Sequence, residues 1–492
     1  MQTDADDILR SPEAGQRVIR GGTIRGLGYG LGVGLTAVAS VFLLRYLGVD
    51  DFGRYVTVLS LMAIVSGITD AGLTAVGARE LALRPRGEPR RQLLENLIGL
   101  RLVLTPIGVI AAVIFAIAAG YDSTLVIGTA LAGVGLVMIN AQATLMLPLS
   151  VELRISQITV AEVLKQAVAV VVIAVLVIAG ASLTPFFTVQ IAVGIVLLGV
   201  TPWLVGRSWL VKPAYRASEW RFLIREALPV AAFLVMNVLY FRILIILMSL
   251  LATARATGLF ATSFRIYETL FGLPALVLSV ALPVLATAEA DRERLRYQLQ
   301  RMVEVGLIVA AYLVLMVVLL AEPLIRLLGG SQYLGAVPLV RIQSVALLAV
   351  FLGLVCQFGL IAIRKQGAMA IANGVALAAV IALGLILIPL YEDVGAAVAA
   401  VVGETILTLL LLLALARSDR KLFPNFAFAW KVALTAGVAC VAFIAPVGPV
   451  LAAALATVLY AAGVRLTGVL PPEVTHALLG RHVADGQNAS GV

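Results

Sequence analysis

The feature that most constrains this chain is a succession of apolar stretches, each about 20 residues long, which fills nearly the whole sequence. A helix of about 20 apolar residues crosses the roughly 30 Å hydrocarbon core of a bilayer. Of the 492 residues, 61% are hydrophobic and 13% are charged, whereas soluble domains carry about 25% charged residues. The sequence therefore predicts an all-α integral membrane protein with about 14 transmembrane helices.

The basic residues are concentrated in every second connection between these stretches. The connections near Asp122, Ala181 and Asp393 contain no arginine or lysine, whereas the alternate connections, such as 79–91, 207–225 and 292–301, are rich in arginine. Because cytoplasmic loops retain Lys and Arg, we expect both termini on the cytoplasmic side of a bacterial inner membrane. The same bias accounts for the net charge of +9. Since the basic residues are dispersed over many short loops, nucleic acid is not expected as a partner.

The order of the stretches predicts six sections of chain. Residues 1–23 form a cytoplasmic N-terminal segment, either an interfacial helix or a plain tail, and 468–492 form a cytoplasmic tail. Residues 24–206 and 227–416 each form a six-helix bundle, joined by a basic cytoplasmic linker at 207–226, and 417–467 add two C-terminal helices. Bundles of six helices keep the same orientation in the membrane, as in transporters built from parallel repeats.

Two arginines within apolar stretches are the leading candidates for a binding site. A charge in the hydrocarbon core costs at least about 2.5–3.5 kcal/mol, so such residues face a cavity or a partner. At 1.5 Å per helical residue, Arg242 and Arg265 reach a similar depth in the outer half of the membrane. Two guanidiniums at one depth suit an anion such as phosphate, which guanidinium binds bidentately. The alternative is a structural pair, in which Glu268 one turn away neutralises Arg265.

Other charged residues in the apolar stretches each leave alternatives open. Asp70, which Ala71 and Gly72 follow, fits a helix-breaking site, a cation or proton site, or the partner of a neighbouring arginine; the local-structure and partner roles are favoured. Glu404 is a candidate for proton coupling or lines a close helix contact. Glu162 and Lys165 are three residues apart in the fifth stretch, so we expect them to pair along their own helix.

The sequence predicts neither a cofactor nor a metal site. The two cysteines, Cys356 and Cys440, lie in apolar stretches, and the two histidines lie in the tail, so no Cys/His cluster is expected. The glycine-rich segment 26–34 has no strand before it and no Walker lysine after it, which excludes a nucleotide-binding loop. We therefore do not expect an enzyme.

Several short motifs, taken in order, resemble those of one transporter family over about residues 15–465. The first is a turn that reads Arg45-Tyr46-Leu47-Gly48-Val49-Asp50-Asp51-Phe52-Gly53-Arg54-Tyr55. It is followed by Asp70-Ala71-Gly72-Leu73, by Arg79-Glu80, and by the segments 258–268, 322–325, 330–333 and 336–339. These motifs are similar to those of the polysaccharide transport, or oligosaccharide flippase, family within the multidrug, oligosaccharidyl-lipid and polysaccharide flippase superfamily.

The resemblance implies two six-helix bundles around a central V-shaped cavity that opens alternately to each side. It implies a cationic cavity lined by the first, second, seventh and eighth helices, to which Arg242 and Arg265 would belong, with Arg25, Asp70 and Glu268 as further candidates. It also implies a substrate, an oligosaccharide linked to undecaprenyl pyrophosphate.

The resulting hypothesis is a flippase that moves this lipid from the cytoplasmic to the periplasmic leaflet for the synthesis of cell-surface polysaccharide, such as O-antigen or exopolysaccharide. Its partners would be the lipid bilayer, the lipid-linked glycan, a polysaccharide polymerase and glycosyltransferases. A cation-coupled multidrug exporter of the same fold is the nearest alternative, although it would need acidic residues in the cavity. A non-transporting scaffold of a glycan-assembly complex is the alternative from another class.

Overall fold

The computed structural model describes residues 12–206, 209, 211–279, 292–443 and 446–469. Every regular element within these ranges is a helix, which confirms the prediction of an all-α fold. The chain divides into two compact units. The first is Met1–Gly258 with Leu328–Gln332, and the second is Leu259–Leu327 with Tyr333–Val492.

The first unit contains the early helices of the chain. They are α1 (Pro12–Asp70), α2 (Leu73–Leu83), α3 (Glu88–Ala118), α4 (Ser123–Leu145), α5 (Leu147–Val151), α6 (Ile155–Ile178), α7 (Leu183–Phe186), α8 (Val189–Val205) and α9 (Ala217–Leu251). Helix α9 therefore belongs to the first compact unit. The boundaries of the two six-helix bundles stay a prediction.

The second unit contains most of α10 (Ala254–Ser279) and of α11 (Arg292–Gly329), and all of the later helices. These are α12 (Ala336–Ser344), α13 (Ala346–Ala362), α14 (Gln366–Ser418), α15 (Ala429–Ala439) and α16 (Pro449–Leu466). The last two pack against α11, where the Tyr460 hydroxyl donates a 2.8 Å hydrogen bond to the Ile308 carbonyl and Tyr312 lies 3.1 Å from Thr457.

Two helices are too long to be single membrane crossings. A straight helix of 59 residues, the length of α1, would measure about 88 Å, nearly three times the thickness of the hydrocarbon core. Gly48 interrupts α1 with φ 74° and ψ 178°, a conformation that glycine adopts readily. Glu392 interrupts the 53-residue α14 with φ 47° and ψ −123°. Each helix thus consists of two helical parts, 12–47 and 49–70 in α1, and 366–391 and 393–418 in α14.

A pair of glycines explains part of the turn motif at 45–55. A Cβ atom on Gly53 would lie 2.3 Å from the Ala254 carbonyl oxygen, and one on Gly258 would lie 2.0 Å from the Val49 carbonyl oxygen. The start of the 49–70 part and the start of α10 therefore touch backbone to backbone. Only small residues permit so close an approach between membrane helices.

The surface of the helices is that of a membrane protein. Within the described residues, ten helices are long and apolar enough to cross a bilayer, and large apolar side chains such as Ile178, which is 87% exposed, cover their outer faces. The chain is a multi-pass membrane protein, and the number of fourteen crossings stays a prediction. Residues 12–23 are the start of α1, whereas residues 1–11, 207, 208, 210 and 470–492 of the predicted segment, linker and tail lie outside the described residues.

Candidate functional site

A cluster of polar side chains in the first unit lies where α1 ends. Ala71 and Gly72, with φ 39° and 78°, interrupt the helix between Asp70 and α2. A Cβ on Gly72 would come within 3.2 Å of the Val230 side chain on α9. The positive φ and this close contact both favour glycine at position 72. From Val49 to Asp70 the helix rises about 32 Å, which places the break one hydrocarbon thickness away from Gly48.

The break brings together three polar side chains. Arg101 on α3 uses its Nη2 atom to donate to Asp70 Oδ1 and, at 2.6 Å, to Thr74 Oγ1. The Thr74 hydroxyl in turn donates to the same Asp70 oxygen at 2.5 Å. The Arg101 side chain is only 5% exposed and that of Asp70 is 28% exposed. Asp70 therefore has the arginine partner that was one of its predicted roles, and the ion pair joins α1 to α3.

A second polar layer lies one turn away, between α1, α3 and α4. Ser66 donates to Asn140 Oδ1 at 3.3 Å, and Asn140 Nδ2 donates to Thr105 Oγ1 at 3.4 Å. Ser66 and Thr105 each lie four residues from a member of the ion pair, on the same helix faces. The two layers form a continuous polar strip within the membrane-spanning helices.

Helix α9 runs antiparallel to the second part of α1 and to α2. Glu219 and Glu226 on α9 form ion pairs with Arg84 and Arg79 respectively, the second at 2.6 Å. A Cβ on Gly67 would lie 2.8 Å from the Val238 side chain. Two charged contacts and two glycine contacts thus fix the register of α9 against the second part of α1 and α2.

This register determines the place of Arg242. It lies one turn beyond Val238, about 6 Å farther along α9, and its side chain is half-buried. Farther along, the Tyr121 hydroxyl lies 2.6 Å from Ser249 Oγ and holds the end of α9 to the turn between α3 and α4. Arg242 is therefore well inside a helix whose two ends are held to other parts of the first unit.

Arg265 lies in the second unit, on the exposed side of α10. The opposite face of α10 is buried and aromatic, with Phe260, Phe264 and Tyr267 in ring contact at 5.6 Å between successive centroids. Arg265 is exposed and Glu268 is half-buried. Among the residues that the structure describes, no ion pair joins Arg265 to Glu268, so the neutralised pair that was the alternative to an anion site is not formed.

The remaining predicted site residues lie apart from these. Glu404 is buried inside the second unit, one turn before Thr408, which donates a 2.8 Å hydrogen bond to the Ala349 carbonyl of α13. Arg25 lies on the first part of α1, and its side chain is outside the described residues. The roles predicted for both residues stay predictions.

The predicted pairing of Glu162 with Lys165 is wrong. Within the described part of the chain, neither side chain takes part in an ion pair or a hydrogen bond, although the two are three residues apart on α6. The spacing allows contact between such side chains but does not compel it, because each rotamer is chosen by its whole surroundings. Among the side chains that the structure describes, a carboxylate and an ammonium within a membrane-spanning helix are thus left without a partner.

Two features of the site were not predicted from the sequence. Thr74 lies four residues after Asp70, and its part in the ion pair depends on the break between them. The attachment of α9 depends on Gly67 and Gly72; small residues in membrane proteins mark close packing, but their sequence does not tell which helix they contact.

Comparison with known proteins agrees with this architecture. A model of the family described as polysaccharide biosynthesis protein matches residues 42–338. No curated protein matches the chain significantly.

Among solved structures, the lipid II flippase MurJ in an inward closed conformation matches with a TM-score of 0.78 and 14% identity, over 93% of this chain and 100% of that one. An inward-facing multidrug resistance MATE family transporter matches with a TM-score of 0.60 and 14% identity, over 79% of this chain and 94% of that one. A MOP superfamily transporter from Pyrococcus furiosus matches with a TM-score of 0.55 and 15% identity, over 86% of this chain and 100% of that one. At these identities the matches show a shared fold.

Proposed function

The chain belongs to the polysaccharide biosynthesis protein family, and on that premise we propose that it is a flippase for an oligosaccharide linked to undecaprenyl pyrophosphate. The family resemblance stated from the sequence motifs is confirmed by this match. The proposed direction is from the cytoplasmic to the periplasmic leaflet of the bacterial inner membrane, with both termini cytoplasmic. A lipid bilayer, a polysaccharide polymerase and glycosyltransferases are the proposed partners.

The proposed substrate site is cationic. Arg242 and Arg265 would bind the pyrophosphate through charge-assisted hydrogen bonds, with Arg25 as a further cation. The observation that supports this most is the state of Arg265, which is exposed and has no ion pair with Glu268 in the described residues. The sequence predicts that this helix spans the membrane, where a guanidinium without a neutralising carboxylate requires water or an anionic ligand.

Translocation would need no covalent step. The sugar-pyrophosphate head would pass through a polar cavity while the polyprenyl chain stays in lipid, and the protein would alternate between two conformations with different affinity for the ligand. Asp70 and Glu404 are proposed as coupling groups, with Glu268 near the anion. Arg101 and Thr74 both donate hydrogen bonds to Asp70 Oδ1. To act as a coupling group, Asp70 must therefore lose these bonds and bind a cation or a proton instead.

The test is leaflet transfer of the lipid-linked oligosaccharide in vesicles that contain the purified protein. Arg265→Ala and Arg242→Ala should each lower the initial rate at least about tenfold, because each removes a charge-assisted contact to phosphate. Arg265→Lys should retain part of the activity, since ammonium binds phosphate as a point charge. The matched control is Arg326→Ala, which removes an exposed arginine that is paired with Glu322 at 2.8 Å.

The results of this transfer assay separate the proposed flippase from its two alternatives. Normal transfer by both arginine variants, at equal protein levels, would remove these residues from the mechanism. Transport of a cationic drug without transfer of the glycan lipid would favour the multidrug exporter. Binding of the glycan lipid without any transfer by the unmodified protein would favour the scaffold.

A further inference from the structure

A polar stripe on α6 is not used by the site described above. It consists of Thr159, Glu162, Lys165 and Gln166, which fall within about 120° of arc on the helix. Glu162 is seven residues into a 24-residue helix, about 10 Å from its start. A charged side chain at this depth without a partner must face water or a polar ligand.

The stripe does not face lipid. The exposed apolar side chains of α6 are Val160, Val171, Val175 and Ile178, and they share an arc of about 60°. Glu162 is also exposed, yet it lies about 140–200° around the helix from that arc. Its carboxylate therefore projects toward the interior side of the first unit.

A gap lies beside the stripe, between α6 and the first part of α1. The two helices touch at Gly28, where a Cβ atom would lie 2.0 Å from Thr159 Cγ2 and 3.8 Å from Val163 Cγ2. They run parallel, since Tyr46 on α1 donates a hydrogen bond to the Ala181 carbonyl beyond the far end of α6. Gly32 is one turn farther along the same face of α1, at the level of Gln166, and its Cβ position has no atom within 4 Å.

We propose that this crevice between α1 and α6 binds the sugar part of the substrate, with Glu162, Lys165 and Gln166 as its hydrogen-bonding groups. Sugar hydroxyls both donate and accept, and the stripe offers a carboxylate that accepts, an ammonium that donates and an amide that does both. Its formal charges cancel, which favours a neutral hydroxyl-rich ligand over an isolated ion. The proposal rests on the proposed function, because it adds a glycan contact to the pyrophosphate contact of the arginines.

Two other occupants fit the crevice less well. Calcium takes six to eight oxygen ligands, and the described residues contain no group of three His, Cys, Asp or Glu side chains able to hold a metal. An acyl chain would leave the charge of Glu162 in an apolar medium without compensation, at a cost of several kcal/mol. A polar headgroup fits both the unpaired charges and the empty space.

The experiment compares two ligands on the purified full-length protein, namely undecaprenyl pyrophosphate and undecaprenyl-pyrophosphate-linked oligosaccharide extracted from the cells that produce the protein. Glu162→Ala and Gln166→Leu should each weaken binding of the glycan-bearing lipid, by at least about tenfold for the charged residue. Both should leave binding of the sugar-free lipid unchanged. Gln157→Leu is the matched control, because Gln157 shares the lipid-facing arc of the same helix.

A second pair of variants tests the crevice by filling it. Gly32→Leu should weaken binding of the glycan-bearing lipid and spare the sugar-free lipid, because the new side chain occupies the gap. Gly30→Leu is its control, since the Cβ position of Gly30 is also open but lies about 160° away around α1. Neither substitution meets an atom within 4 Å of the new Cβ, so both proteins should fold.

The outcomes separate this inference from the proposed function. Preferential loss of the glycan-bearing lipid in Glu162→Ala and Gly32→Leu supports the crevice. Equal effects on the two lipids, or no effect on either, overturn it and leave the pyrophosphate site intact. If the unmodified protein binds neither lipid, the proposed function fails and the sugar site fails with it.

Discussion

Replacement of the two members of the Asp70–Arg101 ion pair should have unequal costs. Asp70→Asn keeps the shape of the side chain but leaves the guanidinium of Arg101, only 5% exposed, without its counter-charge. Removing one partner of a buried ion pair costs about 3–5 kcal/mol. Arg101→Met keeps the length of the side chain and leaves a carboxylate that is 28% exposed and still hydrogen-bonded to Thr74, so the cost should be about 1–3 kcal/mol.

The double variant Asp70→Asn/Arg101→Met should be more stable than Asp70→Asn alone, because it no longer contains an uncompensated buried charge. The coupling free energy from the double-mutant cycle should be at least about 2 kcal/mol. For a unit of this size, 3–5 kcal/mol corresponds on the scale of soluble proteins to a fall of roughly 6–20 °C in melting temperature. Thermal unfolding of the protein in detergent, followed by loss of circular dichroism, measures these differences.

The exposed pair of Glu322 and Arg326 is the matched control for this cycle. Its partners lie 2.8 Å apart but are 48% and 55% exposed, so Glu322→Gln should cost about 0–1 kcal/mol. If Asp70→Asn is no more harmful than Glu322→Gln, or if the double variant is no more stable than Asp70→Asn, the reasoning from buried charge is wrong.

Two further predictions concern contacts that hold the ends of the helices, and both are checked by melting temperature. Gly258→Ala should cost about 1–3 kcal/mol, because the new methyl group would lie 2.0 Å from the Val49 carbonyl oxygen; Gly437→Ala, whose Cβ position is open, should be stabilising, and equal effects of the two would refute the backbone clash. Tyr121→Phe should cost about 0.5–1.5 kcal/mol by removing the hydrogen bond to Ser249. The Ser249 hydroxyl donates to the Ile246 carbonyl, so Tyr121 is the donor of this bond; burial raises the pKa of the Tyr121 hydroxyl, which therefore stays protonated at neutral pH. An unchanged melting temperature would show that the bond adds nothing.

Hydropathy and motif order predicted the fold class and the family because both depend on features that recur along the whole chain. That Asp70 has a cationic partner could also be predicted, since an aspartate inside an apolar stretch needs a cation or a break in the helix. The packing of α9 against the second part of α1 could not be predicted, because it depends on the contacts of Gly67 with Val238 and of Gly72 with Val230. Spacing along one helix says which residues share a face and leaves the neighbouring helix undetermined.

The charged residues in the apolar stretches fall into two groups, those that have a partner within the protein and those that do not. Arg101 and Asp70 satisfy each other within one unit, so the cost of placing them in the membrane is offset by a structural contact. Arg265 and Glu162 have no such contact in the described residues, and both are exposed. Folding alone gives no reason to keep a charge at these positions. A ligand does, and the two residues differ in the part of a lipid-linked glycan that they suit: a guanidinium suits the pyrophosphate, and a carboxylate suits the hydroxyl groups of the sugar.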